Sequence, residues 1–550
     1  MTAASPPGQT AVDYHERTKH HWHRFARSAG YMDWDNQPAP FRTFDGTSTI
    51  PLPLGASDPD LDYAALYHPA ATPPAPFSRF SLGRLLELSL GLSAWKAVSG
   101  QRWALRINPS SGNLHPTEAY LLTLGVQDLP DGICHYHPLD HALEERARLT
   151  AEQSRALARH LASPGIWVVL SSIFRREAWK YGERAYRYCQ HDIGHALAAL
   201  SLAARLLGWR LLRLAAADTD IAAAFGFDRT PWQPKESEEP ALLAAFVPVD
   251  TPHPPAVFPG EAIDLLSAIA VKGRPTPLSA RHQDWPVISR VSAACRQPHA
   301  VAPPPPPADG PQDSQSEPAA QPAAVIIRQR RSAQAFDPEG ELDQASFFGI
   351  LDRTLPRAAC PPFDAAIGPP RISLALFVHR IRGLSSGLYA FIRHPDHQES
   401  LRRSSSPAFA WEPATPDLPL YRLASGDFRA EALDLSCRQE IAGWSTFSLG
   451  MLARFAPEVT NAPWVYRHLF WEAGLIGQVL YLEAEARGVR GTGIGCYFDD
   501  PVHDLLGQQD RTWQSLYHFT IGVPVEDPRL QTLPPYFHLG PERRTTEEPK

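Results

Sequence analysis

Two stretches of the chain repeat one pattern of apolar and polar positions. In 186–208, YRYCQHDIGHALAALSLAARLLG, apolar residues recur at Ile193, Leu197, Leu200, Ala204 and Leu207, the spacing of one helix face. In 466–488, YRHLFWEAGLIGQVLYLEAEARG, the same spacing runs through Ala473, Ile476, Leu480 and Ala484. The two superpose without gaps at a constant offset of 280 positions, which also sets Tyr186 on Tyr466, Arg187 on Arg467, Asp192 on Glu472 and Gly194 on Gly474. Gly208 and Gly488 fall where a glycine would end each helix. Each stretch predicts one long, buried helix. Upstream, IWVVLSSIF (166–174) faces TFSLGMLAR (446–454) as a strand, and GICHYH (132–137) resembles GLYAFI (387–392) as a turn into a strand. The order helix, strand, strand, long helix, strand therefore occurs twice. Repetition at this scale predicts an α+β fold made of two related units in one chain, a fused homodimer.

The join between the units is readable from composition. From about 296 to 324 the chain has almost no large apolar residue and contains the run Pro303–Pro307, the signature of a polyproline-type linker. The predicted organisation is an N-terminal extension (1–65), a first unit (66–295), the linker (296–324) and a second unit (325–550).

With 550 residues, 43% apolar, the chain has material for substantial cores. Lysine and arginine number 52 against 59 aspartate and glutamate, so there is no electrostatic footprint for nucleic acid. The six cysteines are scattered without a CxxC pair, which argues against a disulfide framework and a zinc ribbon. His15, His20, His21 and His23 do not share a helix face with a completing carboxylate, so they do not read as metal ligands. The first thirty residues lack the apolar core of a signal peptide, and no apolar stretch reaches the length of a spanning helix. A cytoplasmic protein with no membrane partner is expected.

Three segments carry candidate chemistry. RINPSSGNLHPTEAYLL (106–122) reads as a loop entering a helix or strand, with hydroxyls and free backbone N–H groups able to cradle an anion or a polar heterocycle. IIRQRRSAQAFDPEGELD (326–343) places Arg328, Arg330, Arg331 and Ser332 within what reads as one helical turn, a combination suited to holding phosphate. GVRGTGIGCYFDD (488–500) is glycine-rich, but it follows a helix and lacks the third glycine of a dinucleotide fingerprint, so a Rossmann reading is rejected.

These segments, with YHERTKHHWHRFARSAGYMDWDNQPAPFRTFDG (14–46), WKYGERAYRY (179–188) and IGVPVEDPRL (521–530), resemble the nitroreductase-like flavoprotein superfamily, specifically its SagB/ThcOx-type dehydrogenase branch. The resemblance implies two nitroreductase-like domains in tandem, forming an intramolecular pseudo-dimer with FMN in the cleft between the copies. It implies that Arg330 and Ser332 hold the phosphate and ribityl side. Gln334 stands where the family's motif has a second basic residue, which gives Arg529 added weight. Pro109, Ser110, Ser111 and Asn113 would touch the flavin ring from the opposite copy, and Gly493, Ile494 and Gly495 would offer backbone N–H near flavin N5. Lys180 and Tyr181 match the Lys-Tyr pair that azoline-oxidising members use for the proton while hydride passes to the flavin.

The halves complement each other. The first keeps the PSSGN loop but reads APFSRFSLGRLLE where the arginine motif would fall, and WRLLRLAAADTD in place of the glycines. The second keeps both of those, but has IGPPRISLALF (367–377) in place of PSSGN. One complete site per chain follows. The resemblance thus implies an FMN-dependent oxidoreductase acting on a small molecule or a modified peptide, such as the peptide azolines of the family. The rival expectations are an NAD(P)H-dependent nitro or quinone reductase and a degenerate peptide- or partner-binding scaffold. Which of the two sites Lys180 and Tyr181 face is not readable from sequence.

Overall fold

The computed structural model describes residues 5–68, 72–252, 255–301, 317–365 and 367–545. The expected polyproline run Pro303–Pro307 lies outside the described residues. The helix Ala323–Gln329 already buries Ala323 and Ala324, so packing of the second half begins inside the segment expected to be linker.

Each half is built on a seven-stranded antiparallel sheet, and the two sheets have matching strand orders. In the first half the order is Trp209–Leu214, Glu239–Pro248, Gly165–Ser172, Thr117–Leu124, Gly132–His137, Ala142–Arg148 and Thr49–Pro51. In the second it is Arg490–Ile494, Trp513–Gly522, Phe447–Arg454, Ile372–Val378, Gly387–Phe391, Leu420–Ser425 and Glu412–Pro413. Gly165–Ser172, Phe447–Arg454, Gly132–His137 and Gly387–Phe391 are the strands that the repeat predicts. The fold is therefore α+β, with two related domains in tandem.

The repeated sequence forms two 22-residue helices, Ala185–Leu206 and Val465–Ala486, which pack against each other at the centre of the molecule. Every residue of the first is buried, which explains why its apolar stripe is broad and its remaining positions are so often alanine. The helices touch backbone to backbone. A Cβ on Gly194 would collide with the carbonyl of Trp471 and crowd the Cα of Gly474, and one on Gly474 would collide with the carbonyl of His191. Gly208 and Gly488 follow the helix ends at φ of 66° and 71°, a left-handed conformation that glycine adopts without strain.

Both termini cross to the other half. The helix Pro7–Arg17 packs on Ala456–Asn461 of the second half, while the Tyr14 hydroxyl holds it to the first by donating to the Glu183 carbonyl at 2.6 Å. At the other end, Gln531–Leu533 pairs with Leu92–Val98 of the first half, and the Tyr536 hydroxyl accepts from the Leu92 amide at 2.8 Å. No helix among the described residues is long and apolar enough to cross a membrane.

Substituting Gly194 by valine should cost at least the roughly 1–3 kcal/mol typical of overpacking, because the obstacle is backbone and cannot rotate away. Gly260→Ala, where an added Cβ meets nothing within 4 Å, should be near neutral in the same denaturation series. Equal midpoints for the two variants would refute a close helix contact.

Candidate active site

A cavity of about 760 Å³ opens where the two halves meet. One wall is the Pro109–Asn113 loop of the first half, and the facing walls are Gln329–Gln334 and Thr492–Cys496 of the second. Its floor comes from the central helices, through Asp192 and His195 on one and Tyr481 on the other.

Hydrogen bonds within the loop set its shape. The Ser110 hydroxyl accepts from the His115 amide at 2.8 Å, and Asn113 donates to the Ala104 carbonyl at 2.9 Å while its oxygen meets the His115 ring at 2.9 Å. Asn113 thus braces the loop with its side chain. Gly112 sits at φ 61°, and a Cβ there would press on the Tyr181 hydroxyl and the Lys180 ammonium. Lys180 and Tyr181 therefore lie directly against the loop of the complete site, with Tyr181 in the cavity wall.

Behind the loop are two buried carboxyls. Asp192 Oδ1 accepts from the Ser111 amide at 3.3 Å. Burial pushes Asp192 up to about 7, only partly offset by hydrogen bonds from Ser110 and Ser111. Burial, then the Asp192 charge, pushes Glu177 well above the ordinary carboxylate range. Burial thus biases both carboxyls toward their protonated forms. Burial, then Glu177, likewise keeps the Tyr181 phenol protonated far past its ordinary value.

The opposite end is cationic. Lys96, Arg330, Arg331 and Arg490 all line it. Burial, with Arg330 alongside, lowers Arg331 to about 10, and burial and Arg331 lower Lys96. Glu485 and Glu526 offset part of this charge through Arg490. Arg330 is buried, donates to the carbonyls of Arg106 and Ile107 at 3.2 and 3.1 Å, and leaves its Nε without a partner. It therefore ties the strand that leads into the loop to the second half. Arg330, Arg331 and Ser332 do not share a helical turn as the sequence suggested. The helix stops at Gln329, because the Ala333 amide donates to the Gly491 carbonyl at 3.1 Å and draws the chain alongside that strand.

Pro109, Ser110, Ser111, Asn113, Ser332, Gln334, Gly493, Ile494 and Gly495 all line the cavity. Ser332 meets the Tyr481 hydroxyl at 2.9 Å, and the Gly493 amide donates to that same hydroxyl at 2.9 Å, so Gly493 is not a free donor. Arg529 is the exception. Its side chain is 80% exposed and forks onto Asp527, so the solvent side of the turn captures it and it does not compensate for Gln334. Sequence reasoning missed Lys96, Glu177, Asp192, Arg490 and Cys496. Only Asp192 carried a signal, as a polar position inside the repeated helix.

At the pseudo-symmetric position the machinery is replaced by ion pairs. Glu472, the counterpart of Asp192, accepts from the Arg371 amide at 2.9 Å and pairs with the fully buried Arg393. Arg205 pairs nearby with Asp364 at 3.1 Å. On that side, then, the carboxylate of the central helix is engaged by arginines rather than by a serine loop.

The buried carboxyl gives a pH prediction. Folding raises the Asp192 pKa, so its contribution to stability is complete below about pH 4 and is lost as pH rises through about 7. Asp192→Asn should therefore gain on wild type by up to ~1.4 kcal/mol per pH unit across that window. Unfolding curves at several pH values would read this, and a pH-independent difference would contradict it.

No protein-family model matches the chain. Over 128 residues it is 28% identical to MJ1384 of Methanocaldococcus jannaschii, a protein named as a nitroreductase, covering 22% of this chain and 64% of that one. Over 109 residues it is 32% identical to the trifolitoxin-processing protein TfxB of Rhizobium leguminosarum bv. trifolii, covering 18% and 29%. The chain thus spans less than two thirds of either relative. A crystal structure from Anabaena variabilis, also named as a nitroreductase, superposes with a TM-score of 0.66 at 21% identity over 94% of this chain and 99% of that one. A single chain matched across both halves shares the two-domain arrangement as well as the fold. The chain thus has the nitroreductase-like fold, and over part of its length it is similar in sequence to MJ1384 and TfxB.

Proposed function

We propose that the protein is an FMN-dependent oxidoreductase of the SagB type whose substrate is an azoline heterocycle in a modified peptide. The observation that carries this reading is the cavity that neither half could form alone, with Lys180 and Tyr181 against its loop.

The residues present fit FMN. The volume is that of a cofactor site. The end lined by Lys96, Arg330, Arg331 and Arg490 suits a phosphate, and the buried, unpartnered Arg330 Nε is a donor in want of an acceptor. Along the Thr492–Cys496 wall a Cβ on Gly493 would collide with the Tyr517 hydroxyl and one on Gly495 with the Tyr188 ring, so only glycine keeps that wall open for a flat ring. When bound, FMN supplies the two-electron acceptor for the oxidation.

The chain's own task is the proton. In this reading Lys180 takes it from the substrate carbon, while Tyr181, held protonated, donates a hydrogen bond to the heterocycle. The Glu177–Asp192 pair lies one layer back, next to the loop serines, where burial disfavours its charged forms. The name of TfxB supports a peptide substrate, since that protein is described as processing trifolitoxin. The name of MJ1384 favours a second reading, reduction of nitro compounds, which predicts that NAD(P)H bleaches the flavin rapidly.

Lys180→Ala should retain FMN with a near-normal visible spectrum and normal reduction by dithionite, while azoline-driven flavin reduction slows by roughly 10²- to 10⁴-fold. A wild-type rate in that variant would remove Lys180 from the reaction. Arg330→Ala should weaken FMN by on the order of 1.5–3 kcal/mol. Arg529→Ala, which alters a solvent-facing residue, should leave the titration unchanged.

A further inference from the structure

Two of the chain's six cysteines are neighbours in space although far apart in sequence. The sulfurs of Cys437 and Cys496 lie 2.8 Å apart, both residues are part-exposed, and Cys496 follows the Gly493–Gly495 wall and lines the cavity. Cys134, Cys189 and Cys295 are buried, and Cys360 donates to the Tyr67 carbonyl at 3.2 Å.

The backbone around the pair is arranged to bring it together. Cys437 and Arg438 occupy the left-handed region at φ of 54° and 61°, a conformation unfavourable for both residues that the surroundings must enforce. The Gln439 side chain donates to the Cys496 carbonyl at 3.0 Å, and the Phe498 amide donates to the Leu435 carbonyl at 2.8 Å, lacing the two segments side by side.

The first half supplies the electrostatics. His20 Nδ1 accepts from the Ala26 amide at 2.9 Å, so its other ring nitrogen carries the proton, and its ring favours the Cys496 thiolate. Arg184 donates to the Gly495 carbonyl at 3.1 Å, one residue away, while also pairing with Asp499. The Cys437 contact, then His20, hold the Cys496 thiol down to about 5. A part-exposed thiolate with a resolving thiol beside it is the arrangement of a peroxide-sensitive cysteine.

We propose that Cys496 and Cys437 form a redox-active pair in the cavity wall that reduces hydrogen peroxide and closes to a disulfide. The Cys496 thiolate attacks one peroxide oxygen. The O–O bond breaks, an S–O bond forms as the sulfenic acid, and hydroxide leaves and takes up a proton. The Cys437 thiol then attacks the Cys496 sulfur, the S–S bond forms, and the oxygen departs as water with the thiol proton. The two thiols lose two electrons and the peroxide gains them. An external dithiol reopens the pair by exchange. The chemistry needs no flavin, so it stands or falls separately from the proposed oxidoreductase activity.

The test uses the full chain, fully reduced, freed of reductant and treated with one equivalent of hydrogen peroxide. Thiols counted after acid quenching and denaturation should fall from six to four per chain and return to six with dithiothreitol. Peptide mapping without reduction should show Cys437 joined to Cys496. In Cys437→Ser, dimedone should label Cys496 and no internal cross-link should form. A count that stays at six, a cross-link through any other cysteine, or wild-type protein that stops at a dimedone-reactive Cys496 would overturn the proposal. The wild-type measurements decide the matter even if Cys437→Ser does not fold.

Discussion

Everything in the structure is referred to the contact between Gly194 and Gly474. Two buried helices approach until backbone meets backbone, and only the absence of side chains at this crossing allows it. The close approach fixes where each half's sheet stands relative to the other. Two residues before each glycine, the helices carry Asp192 and Glu472, which therefore emerge on opposite sides of the pseudo-twofold axis. Asp192 receives the Ser111 amide, and Glu472 receives the Arg371 amide. The frame is symmetric while the chemistry on its two sides is not.

The helix entrances follow the same logic. Arg187 pairs with Asp499 at 2.7 Å, and its counterpart Arg467 pairs with Asp218 at 2.8 Å, in each case joining one half's central helix to the start of a helix in the other half, Asp499–Leu506 or Asp218–Phe225. All four side chains are buried, so removing one partner would leave a stranded charge. Such pairs contribute orientation more than net stability. On the intact side they bring Thr492–Cys496 against the loop of Pro109–Asn113, and Arg330 completes the join through the Arg106 and Ile107 carbonyls. Arg330 is thus both a lining residue of the cavity and a fastener between the halves.

Much of this was legible in the sequence because it is local or repeated. The central helices and their strands were readable as a gapless repeat, and the PSSGN loop was readable from turn chemistry. The arginine segment was misread as helical because nothing near it in sequence announces that Gly491, far along the chain, pairs with it. Arg529 was overvalued because a cation's type says nothing of its direction, and Asp527, two residues before it, captures the fork. Lys96, Arg490 and the Cys437–Cys496 pair were invisible for one reason: each acquires its role from a neighbour that only the topology supplies. Glu177 and Asp192 were hidden differently, since a carboxyl on a helix looks solvent-facing until the packing shows it buried.

The central claim is that two degenerate halves combine to make one site. Titrating FMN into the flavin-free chain, with binding followed by calorimetry and by flavin fluorescence, tests it most directly. The account predicts saturation at one FMN per polypeptide, since Arg393 engages Glu472, the twin of Asp192, in an ion pair. Saturation at two would contradict it.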